Sequence, residues 1–217
     1  MTWVQIVLIG LIGSVFIPMF VVIKYRPKLN TFFKFLFASI LLSFVFDVIG
    51  LYGGLVYRYN MGTYCLYYMI NALVITLLWT KVPDYSTRSK LFAVILGICV
   101  FLMMLFCLVF YDSFETAYLV ISSLSVLLGL ILALQYYNHK MRAISYTPIM
   151  QDPYFLTASG FIFFCFSSLI IINAQPLLKG TNALKIIWPF RQIFYLLFNI
   201  IIAYSFYVLY RIQSTSK

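Results

Sequence analysis

Residues 91–110 read LFAVILGICVFLMMLFCLVF. The run has no charge, no hydroxyl, no amide side chain and no proline. At about 1.5 Å per residue, a helix of this length covers roughly 30 Å, the thickness of a bilayer's hydrocarbon core. A helix on the surface of a soluble protein keeps a polar face toward water, and this one has none. The stretch therefore reads as a transmembrane helix, and it decides the fold class.

Outward from it, the same pattern recurs. Apolar runs mark helices at 3–23, 31–51, 63–80, 117–137, 153–174 and 187–210, with 91–110 as the fourth of seven. The composition agrees, at 64% hydrophobic and only 9% charged, where soluble domains run near a quarter charged. The expected fold is all-α, a polytopic membrane protein with a seven-transmembrane-helix bundle as one domain over residues 1–217. Seven spans and short connections use the whole length, which leaves no space for a kinase, nuclease or periplasmic binding domain.

The formal charge of +10 does not point to nucleic acid, because the charges sit at helix ends. Lys24, Arg26, Lys28, Lys34, Lys81, Arg88, Lys90, Lys140, Arg142, Arg211 and Lys217 fall on one side of the expected bundle. Arg58, Lys179, Lys185 and Arg191 fall on the other. The positive-inside rule makes the richer side cytoplasmic and orients the chain N-out, C-in. Helix 1 has no basic leader and no small-residue cleavage site, so it reads as a retained span. Trp3, Trp79 and Trp188 lie at helix ends, as an aromatic belt requires. Asp152-Pro153 reads as an N-cap followed by proline at the first helical position. Pro18 is expected to kink helix 1, and Pro189 lies in the first turns of helix 7, where it costs little. No internal repeat is evident.

The residue inventory excludes several chemistries. Cys65, Cys99, Cys107 and Cys165 form no CxxC pair, and His139 is the single histidine, so no metal site is expected. Cys65 and Cys107 both fall toward the outer side, and a bridge between them stays open at this stage. An intramembrane aspartyl protease needs two membrane aspartates, and only Asp47 lies well inside a span. A retinal protein needs a mid-helix lysine, and a bis-histidine haem needs a second histidine. No cofactor and no enzymatic activity are expected.

The most informative pattern is on helix 2. Ser39, Ser43, Asp47, Gly50 and Gly54 recur at helical spacing on one face. Small residues on a face permit close helix packing in lipid. An ionised carboxylate in the bilayer is costly, so Asp47 should face the interior and have a partner. Arg191, near the outer end of helix 7, reaches a similar depth. Asn71 and Tyr68 of helix 3, with Tyr64 and Tyr67, and Gln192, Tyr195 and Asn199 of helix 7 complete an expected polar pocket open to the outside. The alternative is a purely structural Asp47–Arg191 ion pair. On helix 5 Ser122, Ser125, Gly129 and Ala133 read as a packing seam, as do Thr157, Gly160 and Ser167 on helix 6. Asp112 and Glu115 read as a solvated loop, and His139 as an interfacial residue.

The run Gln151-Asp152-Pro153-Tyr154-Phe155, followed by Ser159-Gly160 and the aromatic-rich stretch 161–166, resembles the sixth helix of small seven-helix membrane proteins of Bacteroidetes-type bacteria. Asn199 fits their helix 7, whereas Leu156 stands where they tend to carry tryptophan. The resemblance implies a bacterial inner-membrane sensory or accessory module and carries over no catalytic residue. The expected function is a receptor-like or accessory module that binds a ligand through the outer pocket and acts through a membrane or cytoplasmic signalling partner. A small-molecule or ion transporter using Asp47, and a structural subunit of a membrane complex, are the alternatives. The bilayer is the expected environment, and the oligomeric state stays open.

Overall fold

The computed structural model describes residues 13–56, 60–83, 85–111, 113–142, 151–178 and 183–215, the side chains of 54–56, 183–189 and 191 excepted. Among these it is all helical. The seven helices are α1 (Phe16–Tyr25), α2 (Thr31–Val56), α3 (Met61–Thr80), α4 (Thr87–Phe110), α5 (Phe114–Arg142), α6 (Pro153–Leu178) and α7 (Ala183–Thr215). Six of them contain stretches long and apolar enough to cross a membrane, whereas α1 is shorter. The expected first part of helix 1, with Trp3, lies outside the described residues, as do Arg58, Asp112, Lys179 and the side chains of Lys185, Trp188, Pro189 and Arg191.

Exposed apolar side chains explain why these helices need lipid. On α4, Leu91, Ile95, Ile98, Leu102, Phe106 and Val109 are all exposed. A contiguous apolar surface of that kind in water would drive association, and in a bilayer it is the solvated face. The chain is an integral membrane protein on this ground.

The chain divides into two compact units: Met1–Asn30 with Ala133–Lys217, and Thr31–Leu132. In the first unit α7 packs against both α6 and α1. Gly160 brings α6 close to α7, since a Cβ there would stand 3.1 Å from Ile201 Cγ2. Phe161 and Phe164 meet Phe198 at ring separations of 5.3 and 5.0 Å. The Thr157 and Ser205 hydroxyls lie 2.9 Å apart and 2.8 and 2.7 Å from the Pro153 carbonyl, so their two hydrogens are shared over three oxygen–oxygen contacts. The seam expected on helix 6 is thus a packed α6–α7 contact.

Asp152 starts α6 as its sequence predicts. Its Oδ1 accepts from the backbone N–H groups of Tyr154 and Phe155 at 2.9 and 3.2 Å. Its Oδ2 pairs with Lys140 Nζ at 2.6 Å, a contact the sequence reading did not name. Pro18 lies in the first turn of α1. It lacks the donor that would bond the carbonyl four residues back, and Val15 ahead of α1 keeps right-handed helical dihedrals, φ −63° and ψ −27°.

In the second unit α3 packs against both α2 and α4. Trp79 ends α3, but it is fully buried and meets Phe32 edge-on at 5.8 Å. It is therefore a core residue and not part of a lipid-facing belt. Gly97 of α4 lies so close to Thr76 of α3 that a Cβ would stand 2.5 Å from Thr76 Cγ2. Ser122, Ser125 and Gly129 of α5 are buried, in line with a packing seam. Cys65 and Cys107 are both free thiols, so no bridge joins them.

Candidate functional site

The α2–α3 contact of the second unit carries the polar face predicted from sequence. Ser39 donates to Asn71 Oδ1 at 3.3 Å. One turn on, Ser43 Oγ and Tyr67 Oη are 2.7 Å apart. Two turns further Gly50 abuts Tyr64, whose Oη would lie 2.5 Å from an added Cβ. Only a hydrogen fits there, which lets the Tyr64 hydroxyl reach the α2 backbone.

These three contacts fix the register of Asp47. Residues 43, 47 and 50 share one face of a helix. Because Ser43 meets Tyr67 and Gly50 meets Tyr64, the Asp47 position faces α3 at the level between them. Asp47 is half-buried.

Around this level the tyrosines touch one another. Tyr67 and Tyr68 are in T-shaped contact at 5.0 Å, and Phe46 lies 5.5 Å from Tyr67. Tyr118 of α5 meets Tyr68 at 6.0 Å and Tyr64 at 6.3 Å. Tyr68 is buried, and Tyr64, Tyr67 and Tyr118 are half-buried. A carboxylate level with several aromatic rings is an arrangement that attracts cations. The carboxylate supplies the charge, and the ring faces add their quadrupoles.

The expected helix 7 residues belong to the first unit. Asn199 is buried and donates to Ser14 Oγ at 2.8 Å, which ties α7 to the turn before α1. Tyr195 packs against Phe164 at 5.7 Å. Gln192 is half-buried. Arg191 belongs to α7, but its side chain lies outside the described residues, as does any pairing with Asp47. Gly54 follows Gly50 on α2, with its surroundings also undescribed.

Sequence reasoning missed Tyr118. No spacing rule links a tyrosine on helix 5 to those on helix 3, and its place becomes evident only from packing. It also missed Thr76 against Gly97, and the pairing of Lys140 with Asp152. For the last a signal existed, since Asp152 is the sole acidic residue in the sequence beyond Glu115 and lies one short connection from Lys140.

No protein-family model, curated protein or solved structure matches this chain.

Proposed function

We propose that the chain is a receptor-like or accessory module of a bacterial inner membrane, binding a small organic cation at the α2–α3 seam and acting through a membrane or cytoplasmic partner. The observation that carries this reading is the register of Asp47. It stands between the Ser43–Tyr67 and Gly50–Tyr64 contacts, on the face that meets the tyrosine cluster. Packing two helices in lipid calls for small residues and satisfied hydroxyls. It does not call for a carboxylate, which lipid penalises.

The proposed topology has the seven spans read from the sequence, the N-terminus outside and the C-terminus inside. The bias of basic residues supports that orientation. The likeness of residues 151–166 to the sixth helix of sensor-like seven-helix proteins agrees with a module of this kind.

The test uses the full chain in lipid nanodiscs, with tetramethylammonium and short alkylamines as cationic probes and neopentanol as the uncharged control. The reading expects saturable thermal stabilisation by a cationic probe and none by the alcohol. It expects the effect to vanish in Asp47→Asn and to weaken about threefold or more in Tyr68→Leu, as the loss of one cation–π face implies. Equal stabilisation of wild type and Asp47→Asn would exclude this site. Asp47-dependent uptake of labelled tetramethylammonium into proteoliposomes would replace the module reading with a transporter.

A further inference from the structure

A second charged cluster lies in the other unit, where α1 ends against α7. Tyr25 is the last residue of α1, and its ring meets Tyr207 at 5.3 Å and Tyr210 at 5.2 Å. Tyr207, Tyr210 and Arg211 share one face of α7 by their spacing. Lys24 Nζ sits over the Tyr25 ring at 5.3 Å. Arg26 follows in the left-handed conformation, φ 47°, and its N–H caps α1 by bonding the Val22 carbonyl at 2.9 Å. The linker beyond is pinned to α7 as well. Gln213 accepts from the Lys28 N–H and donates to the Lys28 carbonyl, both at 2.8 Å. Lys24 lies over the Tyr25 ring, Arg26 follows Tyr25 and Arg211 follows Tyr210 in the chain, and all three cations are exposed.

No acid of their own unit balances these charges. The only aspartate or glutamate in Met1–Asn30 and Ala133–Lys217 is Asp152, and Lys140 holds it at 2.6 Å. The cations also stand at helix ends, which is headgroup depth in a bilayer, with tyrosines that favour that layer. We infer that Lys24, Arg26 and Arg211, with Tyr25, Tyr207 and Tyr210, form a binding site for the headgroup of an anionic phospholipid. Arg26 and Arg211 supply forked donors matched to a phosphodiester. The tyrosine hydroxyls face the glycerol and ester layer, and Lys24 adds a point charge steadied by the Tyr25 ring. The arrangement joins α1 to α7, so a bound headgroup bridges the two helices. The site lies in a different unit from Asp47 and does not depend on the reading of that seam.

The experiment is native mass spectrometry with thermal unfolding of the full chain, delipidated in detergent and titrated with cardiolipin, phosphatidylglycerol or phosphatidylcholine. A parallel arm uses inorganic phosphate. The test variant is Lys24→Gln/Arg26→Gln/Arg211→Gln, with Arg211→Gln alone as the milder change. The control is Lys34→Gln/Arg88→Gln/Lys90→Gln, which removes the same charge from the other unit. The inference expects retention of, and stabilisation by, the two anionic lipids over phosphatidylcholine. It expects a loss of affinity of about tenfold or more in the test triple and a measurable loss in Arg211→Gln, given the usual worth of each basic contact to an anionic headgroup. The control triple should lose less than about threefold by the same measure. Equal losses in both triples would mean diffuse charge attraction and overturn the site. So would an absence of headgroup preference. Protection by inorganic phosphate equal to that by lipid would make the ligand a free anion and overturn the lipid assignment.

Discussion

Replacing Gly97 by alanine tests a close helix contact in the second unit. A Cβ at Gly97 would meet Thr76 at three atoms: its Oγ1, its Cγ2 at 2.5 Å and its Cβ at 2.9 Å. Carbon atoms pack at about 3.5–4.0 Å, so the shortfall reaches about 1 Å even at the Thr76 Cβ. A rotamer change cannot relieve that contact, because Cβ does not move with χ1. The hydroxyl is also held, donating to the Ala72 carbonyl at 2.8 Å, and Thr76 is buried. The helices must therefore separate, at a cost of about 1–3 kcal/mol for overpacking. For a chain of this length each kcal/mol moves the midpoint by roughly 2–4 °C. Gly50→Ala should cost less, because the atoms it meets form the far end of the Tyr64 side chain, which can swing aside. Thermal or denaturant unfolding in a fixed detergent gives the ordering. Thr76→Ala removes two of the three clashing atoms, so the Gly97→Ala/Thr76→Ala double variant should recover at least about 1 kcal/mol relative to additivity. A Gly97→Ala protein as stable as wild type, or strictly additive losses, would refute the close approach.

Two further expectations concern the ends of the helices. Asp152 divides its work between a cap through Oδ1 and an ion pair through Oδ2, so Asp152→Ala should cost about 2 kcal/mol, from a lost cap of about 1 and a pair of about 1 or less. Lys140→Met should cost about 1 kcal/mol or less, and unfolding curves in which Lys140→Met matches Asp152→Ala would deny the cap its separate share. In the α3–α4 linker, burial pushes the Tyr85 phenol well above its ordinary value of 10.0. A raised folded-state pKa means full stability below pH about 10 and a decline above it, as the unfolded chain gives up a proton that the folded one keeps. Tyr85→Phe should flatten that alkaline decline, and an unchanged stability profile between pH 9 and about 12 would contradict the burial effect.

The helices were legible in the sequence because lipid imposes one demand on every span. Each needs about 20 apolar residues with all backbone groups bonded internally. Their starts at Thr31 and Pro153 agree with the structure, and the end of α3 at Thr80 does too. Other ends were harder, because hydropathy marks the span and not the helix. α4 starts at Thr87, before the apolar run, since Ser86 accepts from the Ser89 N–H at 3.1 Å and caps it. α5 continues through His139 and Lys140 to Arg142, past any apolar signal. α6 continues past Ala174 with Pro176 in its last turn, where one missing donor matters little.

Side-chain partnerships were less legible, for a physical reason. A serine or threonine in a helix always has a carbonyl three or four residues back to bond. Ser167 does so with Phe163 and Phe164, whereas Ser14 and Ser43 reach across to another helix. Nothing in the residue type separates the two outcomes, and only the neighbour's position decides. Asp47 was legible because a carboxylate has no such local outlet.

The two helix seams differ in a way that bears on function. Between α6 and α7, every polar group named is consumed by the packing itself. The Thr157 and Ser205 hydroxyls cluster with the Pro153 carbonyl, and Gly160 admits Ile201. Between α2 and α3 the same devices recur as Ser39 with Asn71, Ser43 with Tyr67, and Gly50 with Tyr64. Those three contacts already hold the helices together, at intervals of one to two turns. A carboxylate added between the second and third of them raises the cost of inserting α2 by a few kcal/mol on insertion scales. A leucine or alanine at position 47 would avoid that cost. Under the proposed function the carboxylate belongs to a binding site, and the flanking Ser43–Tyr67 and Gly50–Tyr64 contacts set its level on the seam.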